Sequence, residues 1–222
     1  MSVIDGMSAT EMIAEVAGHV EGTATDSDVI TMILVWLNKA QSIMFKKNFA
    51  DLLVEGAVLT TDGSTSYDLT SELLVGITPV TDFGKLKDRS VRLGVYHIYP
   101  ISKSYVDEID PDRTDGDTTK NYFMVNRKLF GLYPNNSSGD SVTLDYYKLP
   151  VKLTSSTTAS AISFLPENHN LICDGAKWMA KERYSREGWR TDRRLWFNEI
   201  KKAITESAPV NFTTRQINPI LF

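Results

Sequence analysis

Few residues in this sequence have the types and spacing that catalysis requires. The three histidines, His19, His97 and His169, have no second metal ligand at helical spacing and belong to no His-Glu-x-x-His sequence. His97 falls in a predicted strand, where packing or cross-strand pairing is favoured over chemistry. Neither a nucleophile elbow nor a phosphate-binding glycine loop occurs.

Cys173 is the only cysteine, so an intrachain disulfide is excluded. It lies on the apolar stripe of a predicted helix, which favours a small core residue over a nucleophile. We therefore predict that the protein is not an enzyme and has no catalytic residue, no cofactor and no metal site.

The acidic stretch 107–117 could supply oxygen ligands to a cation. A calcium loop of the EF-hand type needs glycine at its sixth position. Counted from Asp110, the sixth residue is Asp115, and glycine follows one place later. The spacing favours a solvated loop over a calcium site.

A basic and aromatic segment lies near the C-terminus. Residues 177–202 carry nine Lys or Arg against four Asp or Glu, whereas residues 1–38 carry six acidic residues and no basic one. Aromatic rings between arginines can stack on nucleic-acid bases or anchor a protein interface. The net charge of −4 favours the protein interface. The residues that we assign to contacts between subunits are Arg186, Arg190, Arg193, Arg194, Glu11 and Glu15. Two solvated helix faces remain the alternative.

Helical signals occur at both ends of the chain. Ser8 and Glu11 have capping-box spacing, and apolar residues at steps of three and four predict a second helix over 27–49. Leu34 and Leu37 lie on its stripe and are expected to face the C-terminal helices. Pro166 opens a further helical region, and Thr191 and Asp192 begin the last helix.

Short strands are predicted between these helical regions. Residues 54–60 form one strand, 90–99 alternate as another, and 122–133 pair with 142–149 across a loop at 134–140. Strands of this length and spacing are typical of an antiparallel sandwich or barrel.

The sequence therefore predicts an α+β fold, in which N- and C-terminal helices form a helical base that carries an inserted antiparallel β-sandwich or barrel. The expected divisions are residues 1–52 and 165–207 for the base, 53–164 for the β insertion, and 208–222 for an extended C-terminal tail. Prolines prevent the tail from continuing the last helix. Its apolar residues cannot form a core alone, and they are expected to bind this subunit's own base, a neighbouring subunit or a partner.

Three segments resemble the head-tail adaptor proteins of tailed bacteriophages. They are Trp36-Leu37-Asn38-Lys39-Ala40-Gln41, Tyr146-Tyr147-Lys148-Leu149-Pro150, and Leu165-Pro166-Glu167 followed by Leu171-Ile172-Cys173-Asp174-Gly175-Ala176. The resemblance extends over about residues 31–203. It implies a structural virion protein at the capsid-tail junction, forming a ring of twelve copies below the portal. Such a ring would extend the DNA channel, dock tail or nozzle proteins and take part in genome ejection.

The resemblance also implies that the C-terminal tail reaches the portal protein. The residues assigned to portal binding are Phe212, Ile217, Pro219, Ile220, Leu221 and Phe222. DNA is expected to pass through the channel without specific binding, and no membrane partner is expected. Because no signal peptide or membrane-spanning stretch is apparent, the chain is expected to fold in the host cytoplasm. The alternatives are another virion structural or receptor-facing β-sandwich protein, or a nucleic-acid-binding module that uses the arginine- and tryptophan-rich helix.

Overall fold

The computed structural model describes residues 6–20, 25–113, 118–119, 121–135 and 139–207. The described residues form five α-helices: α1 (Ala9–Ala17), α2 (Ser27–Lys46), α3 (Lys103–Ile109), α4 (His169–Arg183) and α5 (Trp189–Ser207). The predicted C-terminal tail and its assigned portal-binding residues lie outside the described residues. Within the described ranges, no helix combines the length and the apolar character needed to cross a bilayer.

Helices α1, α2, α4 and α5 form the helical base. Ser8 and Glu11 make the predicted capping box, in which the Ser8 N–H donates to the Glu11 carboxylate at 2.7 Å. Helix α2 ends at Lys46 rather than at Phe49 as predicted, because Asn48 adopts a φ of 61° that no helix can continue through. Phe49 instead turns into the core of the base, where its exposed fraction is 0 %.

The core of the base is closely packed at a glycine. A Cβ atom on Gly175 would lie 2.7 Å from the Cβ of Ala40 and 2.7 Å from Cζ2 of Trp196. The missing side chain therefore lets α2, α4 and α5 meet at one point. Leu37 is fully buried in this core, as predicted, whereas Leu34 is only half-buried.

Eleven strands in the described part of the chain form the β domain. They are β1 (Leu53–Thr60), β2 (Tyr67–Asp68), β3 (Leu73–Val75), β4 (Thr78–Pro79), β5 (Phe83–Leu86), β6 (Arg92–Leu93), β7 (Tyr96–His97), β8 (Tyr99–Pro100), β9 (Asn121–Met124), β10 (Leu129–Tyr133) and β11 (Ser141–Lys148).

The strands form two sheets that face each other. One has seven strands, in the order β4-β3-β1-β11-β6-β7 with β5 also paired to β11, and the other has the order β2-β10-β9-β8. All pairs are antiparallel except β8 with β9. Apolar side chains from both sheets, including Leu59, Phe130 and Leu144, form a buried core. The α+β class with helices and antiparallel sheets is confirmed, and the sheets do not close into a barrel.

Two predicted strands are wrong because each contains a turn. Gly94 has a φ of 58° and folds residues 90–99 into a hairpin, in which β6 pairs with β7 and Arg92 lies opposite His97. Val95 is therefore 83 % exposed at the tip of this hairpin. The stretch 122–133 is likewise divided into β9 and β10, because the Asn126 side chain accepts hydrogen bonds from the N–H groups of residues 128 and 129.

The segment after β11 returns to the base. Leu153, Ile162 and Phe164 pack in the core of the helices. The connection is fixed by α2, since Asn38 bonds to the backbone of Leu153 and the Gln41 amide donates to the carbonyl of Val151 at 3.3 Å.

Candidate interface on the helical base

The predicted interface arginines lie around the turn between α4 and α5, which we call the α4–α5 corner (residues 183–194). Ser185 and Gly188, with φ values of 50° and 82°, let the chain reverse there. Arg186 and Arg194 are exposed, and neither forms an ion pair with the described residues. These two guanidinium groups are available to an acidic partner.

The other two arginines stack on rings of their own subunit. The Arg193 guanidinium lies 5.4 Å from the ring centre of Trp178 and 5.9 Å from that of Phe197. The Arg190 guanidinium lies 5.3 Å from the Trp189 ring. Cation–π stacking holds both side chains along the surface of α5, so only part of each is free for another molecule.

The tryptophans of this region belong mainly to the core. Trp178 and Trp196 are 5 % and 3 % exposed, and their ring centres lie 5.8 Å apart. The indole N–H of Trp196 donates to the carbonyl of Leu171 at 2.6 Å. A nucleic-acid base can stack only on an exposed ring. Trp178 and Trp196 are therefore not available for the base stacking that the sequence left open.

Both predicted acidic contact residues are engaged within the subunit. The capping-box hydrogen bonds from the Ser8 backbone and side chain hold the pKa of Glu11 below its usual value. The Glu15 carboxylate bonds to the ammonium of Lys177, which also bonds to Asp174 at 3.0 Å. Both carboxylates lie on α1, and each already has a partner within its own subunit. Their contact with a neighbouring subunit stays a prediction.

The histidines occupy three different environments. His169 is buried, and its ring nitrogens lie 3.1 Å from the Met7 carbonyl and 3.0 Å from the Phe164 carbonyl. His19 has a lowered pKa, first because of its burial and then because of the nearby charges of Lys181, Lys177 and Arg186. His97 is exposed on β7.

Cys173 is fully buried, and this burial raises the pKa of its thiol to about 12. The neutral thiol is a core group, as predicted. In the ranges that the structure covers, no group of three or more His, Cys, Asp or Glu side chains is arranged to hold a metal ion. Asp115, which stands where a calcium loop of the EF-hand type needs glycine, lies outside those ranges.

Sequence reasoning missed a basic cavity between the base and the β domain, which we call the junction cavity. It has a volume of about 440 Å³ and is lined by Phe45 and Lys46 from α2, Lys85 and Leu86 from β5, and Met124, Asn126 and Arg127 at the end of β9. Because three distant segments supply these residues, no local pattern could indicate the site.

A family model described as SU10 adaptor protein matches residues 7–218 of the chain. The match begins ahead of α1 and continues beyond α5, so it includes the helical base and the β domain together. A search of curated proteins finds no match.

Proposed function

The chain belongs to the SU10 adaptor protein family, and from this premise we propose that its copies form a ring below the portal of a tailed bacteriophage. The ring, of about twelve copies by the stoichiometry that the family resemblance implies, extends the DNA channel and docks tail or nozzle proteins. Family membership confirms the resemblance to head-tail adaptors and makes the chain a structural phage adaptor protein. The capsid-tail junction is its proposed place in the virion.

The observation that carries this proposal is the extent of the family match. A match confined to the helices or to the sheets would describe one module of an otherwise different protein. Here residues 7–218 take in both parts, so the adaptor role is proposed for the protein as a whole.

Contacts between copies are proposed at the α4–α5 corner. Arg186 and Arg194 are exposed cations without an ion-pair partner in the described residues, and arginine is enriched in protein interfaces. Arg190 and Arg193 are the other two arginines proposed for this contact, and each stacks on an aromatic ring of its own subunit. The proposed acidic side of this contact consists of Glu11 and Glu15 of a neighbouring copy. Each carboxylate would bind an arginine in addition to the partner that it has within its own subunit.

The C-terminal tail is the proposed anchor to the portal. Its residues Phe212, Ile217, Pro219, Ile220, Leu221 and Phe222 are mainly apolar. An extended apolar segment can add a strand to a sheet edge or lie in a groove of a partner. The portal protein is the partner that the family resemblance implies.

DNA is proposed to pass the ring without tight binding. A channel that lets DNA slide needs weak contacts, and the net charge of −4 agrees with this. The burial of Trp178 and Trp196 argues against a nucleic-acid-binding module at α5.

A receptor-facing β-sandwich is the second candidate function. A cavity of about 590 Å³ lies beside β7 and β8, and Tyr96 and Tyr99 on its wall are 76 % and 61 % exposed. Exposed aromatic side chains beside Asn121 would suit a sugar or a partner protein.

The proposal is tested by measuring the mass of assemblies formed by the purified protein, alone and with the portal. We expect a closed oligomer of defined copy number. Arg186→Glu with Arg194→Glu should reduce assembly while leaving the melting temperature unchanged, and Lys201→Glu with Lys202→Glu is the control of equal charge. A protein that stays monomeric in the presence of its portal would contradict the proposed function.

A further inference from the structure

The junction cavity combines an apolar wall with a basic rim. Phe45, Leu86 and Met124 supply the wall. The rim carries three cationic side chains, those of Lys46, Lys85 and Arg127, and none of the described residues that line the cavity is acidic. None of the three cations forms an ion pair with the described residues. The cavity is therefore complementary to a surface that is both apolar and acidic.

Lys85 is held at the rim of the cavity by contacts within its own subunit. Its ammonium lies 4.9 Å from the ring centre of Phe45 and 5.4 Å from that of Tyr147. Burial lowers the pKa of this lysine, so an arriving carboxylate would stabilise its charged form. Phe45 is itself held close to β5, because a Cβ atom on Gly84 would lie 2.7 Å from its ring.

Helix α3 presents a surface of the complementary kind. Tyr105 and Ile109 are 51 % and 47 % exposed, and Glu108 lies between them at helical spacing. Asp112 follows just beyond the helix. Glu108 and Asp112 are exposed and form no ion pair within the described residues. We call these four residues the α3 stripe.

Helix α3 is held on the β domain of its own subunit. Val106 on the same helix is fully buried and packs with Phe123 and Tyr133. Asp107 is held by Lys103 and Arg113. These contacts fix the helix on the β domain, and none of the four stripe residues lines the junction cavity of its own subunit. The stripe is therefore free to meet the cavity of a second molecule.

We propose that the α3 stripe of one copy docks into the junction cavity of the next copy. Tyr105 and Ile109 cover the wall formed by Phe45, Leu86 and Met124, while Glu108 and Asp112 pair with the rim. The two surfaces differ, so the contact is heterologous, and repetition of such a contact closes a ring when the rotation between copies is suitable. This inference rests on the proposed ring and names a surface through which neighbours recognise each other.

Charge reversal on each side tests the contact. The cavity variant carries Lys46→Glu and Arg127→Glu, and the stripe variant carries Glu108→Lys and Asp112→Lys. All four residues are exposed, so melting temperatures should match that of the wild type. Each variant alone opposes like charges at every interface, and we expect its self-association to be about 100-fold weaker or more. An equal mixture should restore assembly, since every cavity then meets a stripe of opposite charge.

Matched controls separate this contact from a general effect of charge. Lys201→Glu with Lys202→Glu, and Glu199→Lys with Glu206→Lys, make the same changes at exposed positions elsewhere on the base, and both should assemble normally. Duplex DNA affinity is measured on every variant at two salt concentrations.

Four results would overturn the inference. Normal assembly of both variants would do so while leaving the proposed function intact, and failure of the mixture to assemble would exclude this pairing. A cavity variant that assembles normally but loses DNA affinity would assign the cavity to DNA. Failure of the wild type to assemble, alone and with its portal, would contradict the proposed function and this interface together.

Discussion

The side chain of Asn38 exchanges two hydrogen bonds with the backbone of Leu153. Its amide nitrogen donates to the carbonyl at 3.1 Å, and its oxygen accepts from the N–H at 2.8 Å. Leu153 follows β11 and is 1 % exposed. One residue of α2 therefore fixes the place at which the chain leaves the β domain and returns to the base.

We expect Asn38→Leu to destabilise the protein. The change leaves the N–H and carbonyl of Leu153 without their side-chain partner, at a cost of about 1–3 kcal/mol for each unsatisfied group. Urea unfolding measures the loss. Lys39→Leu, at the exposed neighbouring position, is the control and should have little effect. Equal stability of the two variants would show that water replaces the Asn38 side chain.

Truncation of Leu37 tests the core of the base. The side chain is fully buried between α2 and the C-terminal helices, and Leu37→Ala should lower the free energy of unfolding by about 2–5 kcal/mol. Val35 on the same helix is 60 % exposed, so Val35→Ala should cost much less. An unchanged melting temperature for Leu37→Ala would place this stripe outside the core.

A methyl group at Gly175 should separate the helices of the base. Its Cβ would lie 2.7 Å from both Ala40 and Trp196, and overpacking of this kind costs about 1–3 kcal/mol. Gly18→Ala is the control, because the nearest atom to the new Cβ would be 3.8 Å away. If Gly175→Ala were as stable as the wild type, the close approach of α2, α4 and α5 at this point would be refuted.

The capping box predicts a pH dependence of stability. The pKa of Glu11 is below its usual value of 4.5 in the folded protein. Ionised Glu11 therefore favours folding above about pH 4.5, and this contribution is lost as the pH falls through the folded-state pKa. Glu11→Gln should lower Tm at pH 7, and its difference from the wild type should shrink as the pH falls below 4.5. The same difference at pH 7 and at low pH would mean that the carboxylate charge is not involved.

Deletion of the chain after Ser207 tests the anchor. We expect a folded protein with near-normal Tm, since the helices and sheets described here end at that residue. It should no longer attach to portal-bearing capsids, which a sedimentation assay measures against the full chain. Normal attachment of the truncated protein would exclude the tail as the anchor, and unfolding would assign it to the core.

Sequence reasoning predicted the features that depend on neighbouring residues. The capping box of Ser8 and Glu11 and the buried Leu37 follow from spacing along a helix, which the backbone geometry fixes. The segment 90–99 was predicted wrongly because that prediction used only the local pattern of residues. Its alternation of apolar residues is typical of a strand, but Gly94 adopts a positive φ at little cost, and the hairpin that it permits outweighs the periodicity.

Features that depend on tertiary contacts could not be predicted. Lys85 and Arg127 are far from Lys46 in the chain, and only the packing of β5 and β9 against the end of α2 brings the three together. The arginine-rich helix gave an ambiguous signal for the same reason. Its composition suits a base-stacking surface, and only the structure shows that Trp178 and Trp196 are buried and so take no part in such a surface.

The central claim is that copies of this chain form a ring on the portal. A cryo-electron microscopy reconstruction of the protein bound to its portal tests this most directly. The account predicts a closed ring coaxial with the portal, with an open channel, α3 of each copy in the junction cavity of the next, and C-terminal tails on the portal. Single copies scattered on the virion surface, or no density below the portal, would contradict it.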